Sequence, residues 1–334
     1  MQQLTWSEAH VEGGAGVEVA LPTPLRKLDH YRDVAAIAYP SRRGETSLRT
    51  LLRGASSSRG PVSVEALNTS DLRAVVVRPA PGGGPAWLLL EFHEPYEAGS
   101  ITFVAAAVRE GGSAGRPGGS GRTAPILLEA SDDGARFRRV AEISTESGND
   151  VTLATAGFPP VTARYLRLST ATATSYSQLR LAAAPRFEEW RKRSNAEYNG
   201  RGLRDISDPG PDVVPLDRVI DVSGFVSDGV LRWPGPPGRW TVLRFGFTPL
   251  GTLNRSAPDT GVGLECDKYR AEAVAFHLDR MMQPLLPILA PLTSRGRMGL
   301  EIDSWEVGMQ NWTPGFEKES RPGTATACCP TSRR

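Results

Sequence analysis

The stretch Arg297-Met-Gly-Leu-Glu-Ile-Asp-Ser-Trp-Glu-Val-Gly-Met-Gln-Asn-Trp-Thr-Pro-Gly-Phe316 carries the densest chemistry in the chain. A short apolar run, Met298 to Ile302, has the pattern of a buried strand, and it delivers Asp303, Ser304, Trp305 and Glu306 at its carboxyl end. Gly308, Asn311 and Pro314 then signal a loop. Paired carboxylates can serve as general acid and hydroxyl ligand for glycosidic-bond cleavage, while tryptophan faces can pack on sugar rings. Residue types alone leave a surface loop after a core strand equally open.

Those residues need elements to position them. Thr241 to Phe247 reads as a strand, Pro249 through Gly263 as a polar loop, and Lys268 to Met282 as a helix. In that helix Ala271, Val274, Ala275, Leu278 and Met282 recur at three- and four-residue spacing. Asp267 stands at the expected N-cap, and Pro284 and Pro287 break the pattern. With Met298 to Ile302 as a second strand, this is a predicted parallel βαβ unit, whose loops emerge at one rim. The acids Glu265 and Asp267 are thereby expected beside Asp303 and Glu306, with Lys268 placed to pair with one of them. His277 reads as a packed or surface histidine.

Upstream, Ala86–Phe92, Ser100–Val104, Pro125–Ser131, Phe137–Ile143 and Ala163–Leu168 read as short strands punctuated by turns such as Asp133-Gly134. Their spacing predicts a β-sandwich over residues 61–185. Trp233-Pro-Gly-Pro-Pro-Gly-Arg-Trp240 reads as a tight hairpin with both tryptophans in the core.

Several motifs in order carry a resemblance: Leu4-Thr-Trp-Ser-Glu8, Tyr31-Arg-Asp-Val-Ala35 through Ala38-Tyr-Pro40, Arg239-Trp-Thr-Val-Leu-Arg-Phe-Gly246, Gly263-Leu-Glu-Cys-Asp-Lys268, and Asp303-Ser-Trp-Glu306 with Gln310-Asn-Trp-Thr-Pro314. Together they resemble glycoside hydrolase family 106, the α-L-rhamnosidases. The pairing of Ser131-Asp-Asp-Gly134 with Arg164-Tyr-Leu-Arg167 resembles discoidin-like, galactose-binding-like modules. The implied fold is α/β plus all-β: part of a (β/α)8 barrel with an inserted galactose-binding-like sandwich. The expected division is an N-terminal barrel-associated segment at 1–60, the sandwich at 61–185, a linker and hairpin region at 186–238, and part of the barrel at 239–319. Residues 320–334 are expected to be a frameshifted tail. One codon choice for Ala325 to Ser332, shifted by one base, spells Tyr-Gly-Met-Leu-Pro-Tyr-Leu, close to the phrase with which the family continues.

The resemblance implies a calcium-dependent, inverting hydrolase that removes terminal α-L-rhamnose from glycans or rhamnosides. It makes Glu306 the general acid, with Asp303, Trp305, Asp267, Lys268, Glu265 and Trp312 on the substrate side and the calcium ligands unassigned. Burial against Trp305 and Trp312 would raise the pKa of Glu306, as an acid role requires. For Asp303 a turn carboxylate stays open. For Glu8, a substrate-side carboxylate and a solvated loop acid both do. The family's base has no candidate here, so the chain is expected to be cut short at both ends and to turn over little substrate alone. A non-catalytic carbohydrate-binding or structural β-module is the rival expectation.

Composition narrows the rest. A net charge of +2 with a hydrophobic fraction of 40% gives no sign of a nucleic-acid partner. No apolar run reaches the length of a membrane span. Cys266, Cys328 and Cys329 form neither a zinc spacing nor a disulfide framework. Met1 to Glu8 lacks the basic and apolar regions of a signal peptide, whereas the resemblance implies a periplasmic or secreted full-length protein.

Overall fold

A computed structural model describes residues 1–42, 44–69, 74–108, 125–143, 151–184, 186, 213–254, 258–293, 296 and 310–319. Three antiparallel sheets form their framework.

The first sheet has the order β1-β15-β3-β12. Its strands are β1 (Gln2–Gly13), β15 (Gly238–Pro249), β3 (Arg32–Pro40) and β12 (Ile220–Asp221). β1 and β15 pair along their whole length, from Gln2 opposite Pro249 to Gly13 opposite Gly238. A register shift at Phe245/Gly246 bends β15 against β3. Glycine is required there, because a Cβ on Gly246 would lie 2.3 Å from the Arg32 carbonyl oxygen and 2.4 Å from the Tyr31 ring.

This arrangement corrects the expected parallel βαβ unit. β15 has β1 on one edge and β3 on the other, both antiparallel, so its backbone groups have no edge left for a parallel neighbour. Among the described residues no two strands pair in parallel, so no part of a (β/α)8 barrel is seen there. The expected strand Met298–Ile302 lies outside them.

A small sheet of β13 (Val226–Ser227), β14 (Val230–Trp233) and β2 (Val17–Ala20) supplies the rest of this unit's core. Trp233 and Trp240 are both buried and meet edge to face, with ring centroids 5.2 Å apart. The tryptophans are core residues, as expected, but the hairpin is not formed. Trp233 pairs with Val17 in the small sheet, whereas Trp240 pairs with Val11 in the first.

The third sheet has eight strands and contains the larger hydrophobic core, including Leu88, Leu90, Phe103, Leu128, Leu166 and Leu168. Its path is β5 (Gly60–Val62), β4 (Leu52–Ser57), β7 (Ala86–Ala107), β10 (Val151–Thr170), β8 (Ile126–Ser131) and β9 (Arg138–Ile143). β11 (Thr174–Ala182) pairs with both β7 and β6 (Val75–Val77). The sheet begins at Leu52, ahead of position 61. β7 joins two expected strands into one of 22 residues, and β10 bends at two register shifts to follow it. The turn after β8 is built from its own side chains. Ser131 Oγ accepts from Gly134 N at 3.0 Å, and Asp133 Oδ1 accepts from Ala135 N and Arg136 N at 2.9 and 2.8 Å. Gly134 takes φ +73° with the Tyr165 ring against it, and Tyr165 pairs with Ser131.

The helices are α1 (Leu48–Leu51), α2 (Val64–Leu67), α3 (Ala271–Met282), α4 (Leu286–Thr293) and α5 (Phe316–Glu319). α3 starts later than Lys268, with Arg270 at its N-cap and no side-chain cap, so Asp267 does not cap it. Val274, Leu278 and Met282 are half-buried, whereas Ala271, Ala275 and His277 are exposed. Among the described residues no helix is long and apolar enough to cross a membrane.

Candidate functional site

After β15 the chain folds back on itself. Asn254 N donates to Gly263 O at 3.0 Å, and Glu265 N donates to Thr252 O at 3.0 Å. The Asn254 side chain closes the loop by donating to Gly261 O at 2.9 Å and accepting from Gly263 N at 2.8 Å. This carries Glu265 to the start of β1, where the Met1 nitrogen donates to its carbonyl at 2.7 Å.

Residues 310–313 return to the same place. Asn311 N donates to Gln2 O at 3.3 Å, and Asn311 Oδ1 accepts from Leu4 N at 2.8 Å. Gln310, only 2% exposed, is the centre of the junction. Its Nε2 donates to Asp267 Oδ1 and, at 2.9 Å, to Trp312 O. Its Oε1 accepts from Lys268 N at 3.0 Å, and its carbonyl accepts from Tyr269 OH at 3.0 Å. Asp267 Oδ1 also accepts from Tyr269 N at 3.1 Å, and Oδ2 accepts from Thr313 Oγ1 at 2.8 Å. These bonds clamp the segment that follows Glu306 onto the Glu265–Tyr269 turn. Each is worth about 1 kcal/mol net, and a buried partner left unpaired costs about 1–3 kcal/mol.

Aromatic packing reinforces the clamp. Trp312 stacks on Phe247 at 6.5 Å between centroids and meets Phe316 edge-on at 5.7 Å. Tyr269 stacks on Phe316 at 6.0 Å. Glu265 and Lys268 form an ion pair of 3.1 Å, with side chains 16% and 24% exposed.

The expected site residues therefore divide. Asp303, Trp305 and Glu306 lie outside the described residues. Glu265, Asp267, Lys268 and Trp312 are brought together, with Lys268 paired to Glu265. Two roles change. Trp312 is 1% exposed, so its face cannot receive a sugar and it serves as packing. The Asp267 carboxylate is bonded to Gln310, Tyr269 and Thr313, which makes it a fastener of the loop. Gln310, Tyr269 and Thr313 had no role in the sequence reading. Their signal was position, since they stand in or beside motif phrases, but as neutral side chains they offered no acid–base chemistry.

Glu8 is neither a substrate-side acid nor a solvated one. It is 5% exposed and held by Arg186 through hydrogen bonds of 2.7 and 2.8 Å. Burial alone would raise its pKa, but the charge and hydrogen bonds of Arg186, with help from His10 and Arg180, hold it well below the usual carboxylate range. Among the described residues no group of three or more His, Cys, Asp or Glu could hold a metal ion.

On the sandwich, Asp132, Asp133, Arg136, Phe137 and Arg138 line an open cleft of about 310 Å³. Arg167 lies over the Phe137 ring at 3.7 Å and is fixed by Glu129 at 2.8 and 3.0 Å. Arg138 pairs with Asp132 at 3.0 Å.

Known proteins resemble the chain as follows. The sequence model of an α-L-rhamnosidase family, glycoside hydrolase family 106, matches residues 1–323. The solved structure of a rhamnosidase from Novosphingobium sp. PP1Y superposes with a TM-score of 0.68 at 26% identity, over 96% of this chain and 30% of that one. A putative beta-glucuronidase from Formosa agariphila is 39% identical over 112 residues, 33% of this chain and 10% of that protein. The chain thus spans less than a third of the rhamnosidase's length.

Proposed function

We propose a function from the premise that this chain belongs to the α-L-rhamnosidase family, glycoside hydrolase family 106. The chain is part of a glycosidase that removes terminal α-L-rhamnose with inversion. Glu306 protonates the leaving oxygen, and Asp303 and Trp305 hold the sugar. The base lies on another part of the enzyme, with the two carboxyl groups about 6.5–9.5 Å apart to admit water. Glu265 and Lys268 bind sugar hydroxyls, the Lys268 ammonium donating and the Glu265 carboxylate accepting. Asp267, Gln310 and Thr313 act as positioning residues. Calcium dependence belongs to the whole enzyme, with its ligands unassigned. The full-length protein works in the periplasm or outside the cell.

The observation that carries this proposal is the clamp. It fixes Gln310 and Thr313, downstream of Asp303–Glu306 in the same motif, against the turn that bears the Glu265–Lys268 pair. The test is calorimetric titration of the 334-residue chain with L-rhamnose and, separately, D-glucuronate. Rhamnose should bind, and Lys268→Met or Glu265→Gln should abolish binding. Preference for glucuronate would move the proposal to a uronic-acid substrate, and failure of both sugars would remove it.

The sandwich cleft supports a second proposal: binding of a glycan without cleavage. Phe137 offers an apolar surface, and the Arg138–Asp132 pair offers donors and acceptors for hydroxyls. Under it, affinity for a rhamnoside survives Glu306→Ala and Lys268→Met but is lost in Phe137→Ala.

A further inference from the structure

The cleft on the sandwich is lined by two aspartates, two arginines and Phe137, and these side chains are unequally engaged. Asp133 is taken up by its own turn. Its Oδ1 accepts from Ser131 Oγ at 3.0 Å and from the backbone N–H groups of Ala135 and Arg136 at 2.9 and 2.8 Å. The backbone bonds, that of Arg136 foremost, hold the Asp133 carboxyl well below the usual carboxylate range, so it stays ionised. Its Oδ2 accepts from Arg136 Nε at 3.3 Å. Asp132 Oδ2 accepts from Arg138 Nη1 at 3.0 Å, and Arg138 Nη2 donates to Thr162 O at 3.1 Å. Each aspartate thus faces an arginine, and both terminal nitrogens of Arg138 are in use.

Arg136 differs. Its side chain is 94% exposed and bonds through Nε, which leaves both terminal nitrogens without an acceptor among the described residues. A guanidinium keeps its proton, and its terminal nitrogens form a planar fork that matches a carboxylate. The Nε bond to Asp133 tethers that fork at the cleft. The next residue, Phe137, carries the Arg167 guanidinium over its ring at 3.7 Å, and Glu129 locks Arg167 in place. The half-buried ring is thereby braced from one side. The cleft's volume of about 310 Å³ is at the lower end of the range for small-molecule sites, about 300–1,000 Å³.

We propose that the glycan taken by this cleft is acidic: a uronic acid residue, with its carboxylate on the Arg136 fork and its sugar ring against Phe137. Asp132 Oδ1 accepts from one of its hydroxyls. This identity of the ligand rests on the proposal that the sandwich cleft holds a glycan at all. A neutral hexose could also hydrogen-bond to Arg136, but its hydroxyls bring no charge to the fork.

The test compares methyl β-D-glucuronide with methyl β-D-glucoside, which differ only at C6. NMR titrations use the full chain carrying Lys268→Met, so that the site at Glu265–Lys268 does not contribute. The glucuronide should bind about tenfold more tightly at low salt, and the gap should close as sodium chloride is added. Arg136→Gln should remove the preference and leave glucoside binding unchanged, whereas Phe137→Ala should weaken both. Sodium acetate, a carboxylate without a sugar ring, should fail to displace the glucuronide at equal concentration. Equal binding of the two glycosides, or a preference that survives Arg136→Gln, would overturn the acidic ligand and leave the glycan cleft standing. Binding of neither glycoside, or displacement by acetate, would overturn both.

Discussion

Gln310→Glu changes one atom of the clamp and tests its logic. The substitution keeps the shape of the side chain and its acceptor for Lys268 N. It removes the donor shared by Asp267 and Trp312 O, and it sets a second carboxylate in direct contact with the first. Two like charges about 4 Å apart repel by about 4 kcal/mol at an effective dielectric of 20. That penalty has a ceiling, because the introduced carboxyl can take a proton instead. Holding a glutamic acid of pKa about 4.3 protonated at pH 7 costs about 3.7 kcal/mol, and the proton then restores a donor to Asp267. The unpaired Trp312 carbonyl adds about 1 kcal/mol. The variant should thus be weaker at the clamp by about 4–5 kcal/mol at pH 7. Its folded pKa is raised above the unfolded value, so the folded state binds more protons. The penalty must shrink by about 1.4 kcal/mol per pH unit as pH falls toward 4.3, and it is complete only above the raised pKa. Hydrogen exchange at the amides of Lys268, Leu4 and Asn311, compared with wild type from pH 7.5 to 5, reads this locally. A penalty independent of pH, or no change in protection at pH 7.5, would refute the clamp.

Glu8→Gln should destabilise the chain by about 3–5 kcal/mol, because Arg186 and Arg180 lose a buried counter-charge; thermal unfolding at pH 7 measures this. Since Glu8 is held below its unfolded pKa, its stabilisation is present above about pH 4.3 and lost as pH falls toward the folded value. The Tm of the variant should therefore fall less steeply on acidification than that of wild type. Gly246→Ala should cost about 1–3 kcal/mol in thermal unfolding, because its Cβ would collide with the Arg32 carbonyl and the Tyr31 ring. In the longer enzyme, Glu306→Gln should lower turnover of an unactivated rhamnoside by about 10²–10⁴-fold while leaving rhamnose binding intact; an unchanged rate would remove the acid role.

Local elements were legible in the sequence, and their partners were not. Alternation and turn chemistry marked β8 and β9, and the Ser131–Gly134 turn meets Tyr165 where the motif resemblance put it. Three- and four-residue spacing marked α3. The parallel unit failed because strand, loop and helix in order fix no pairing. The neighbour that decides the direction of β15 is β1, more than two hundred residues earlier. Trp312 was misjudged for a similar reason. An aromatic beside carboxylates suits a sugar platform, but Phe247 from β15 covers it. Glu8 sits in a strand whose Gln3, Thr5 and Ser7 are also buried, so hydropathy gave no hint of an interior position. Its partner Arg186 is 178 residues away.

β1 links these contacts into one mechanical path. Its first residues hold Asn311 and Trp312, and its middle holds Arg186 at the exit of the sandwich. A buried ion pair adds little net stability compared with apolar packing, since desolvation offsets most of the attraction. Its geometry is demanding, however: Arg186 meets Glu8 with both terminal nitrogens and reaches Glu45 with one of them. Apolar surfaces slide over each other at small cost, whereas a bidentate guanidinium–carboxylate contact tolerates little displacement. The joint is therefore better suited to fixing orientation than to supplying stability, and a strand of twelve residues transmits that orientation to the clamp. On this basis the sandwich braces residues 310–313 through β1, and any sugar bound at its own cleft would be a separate event.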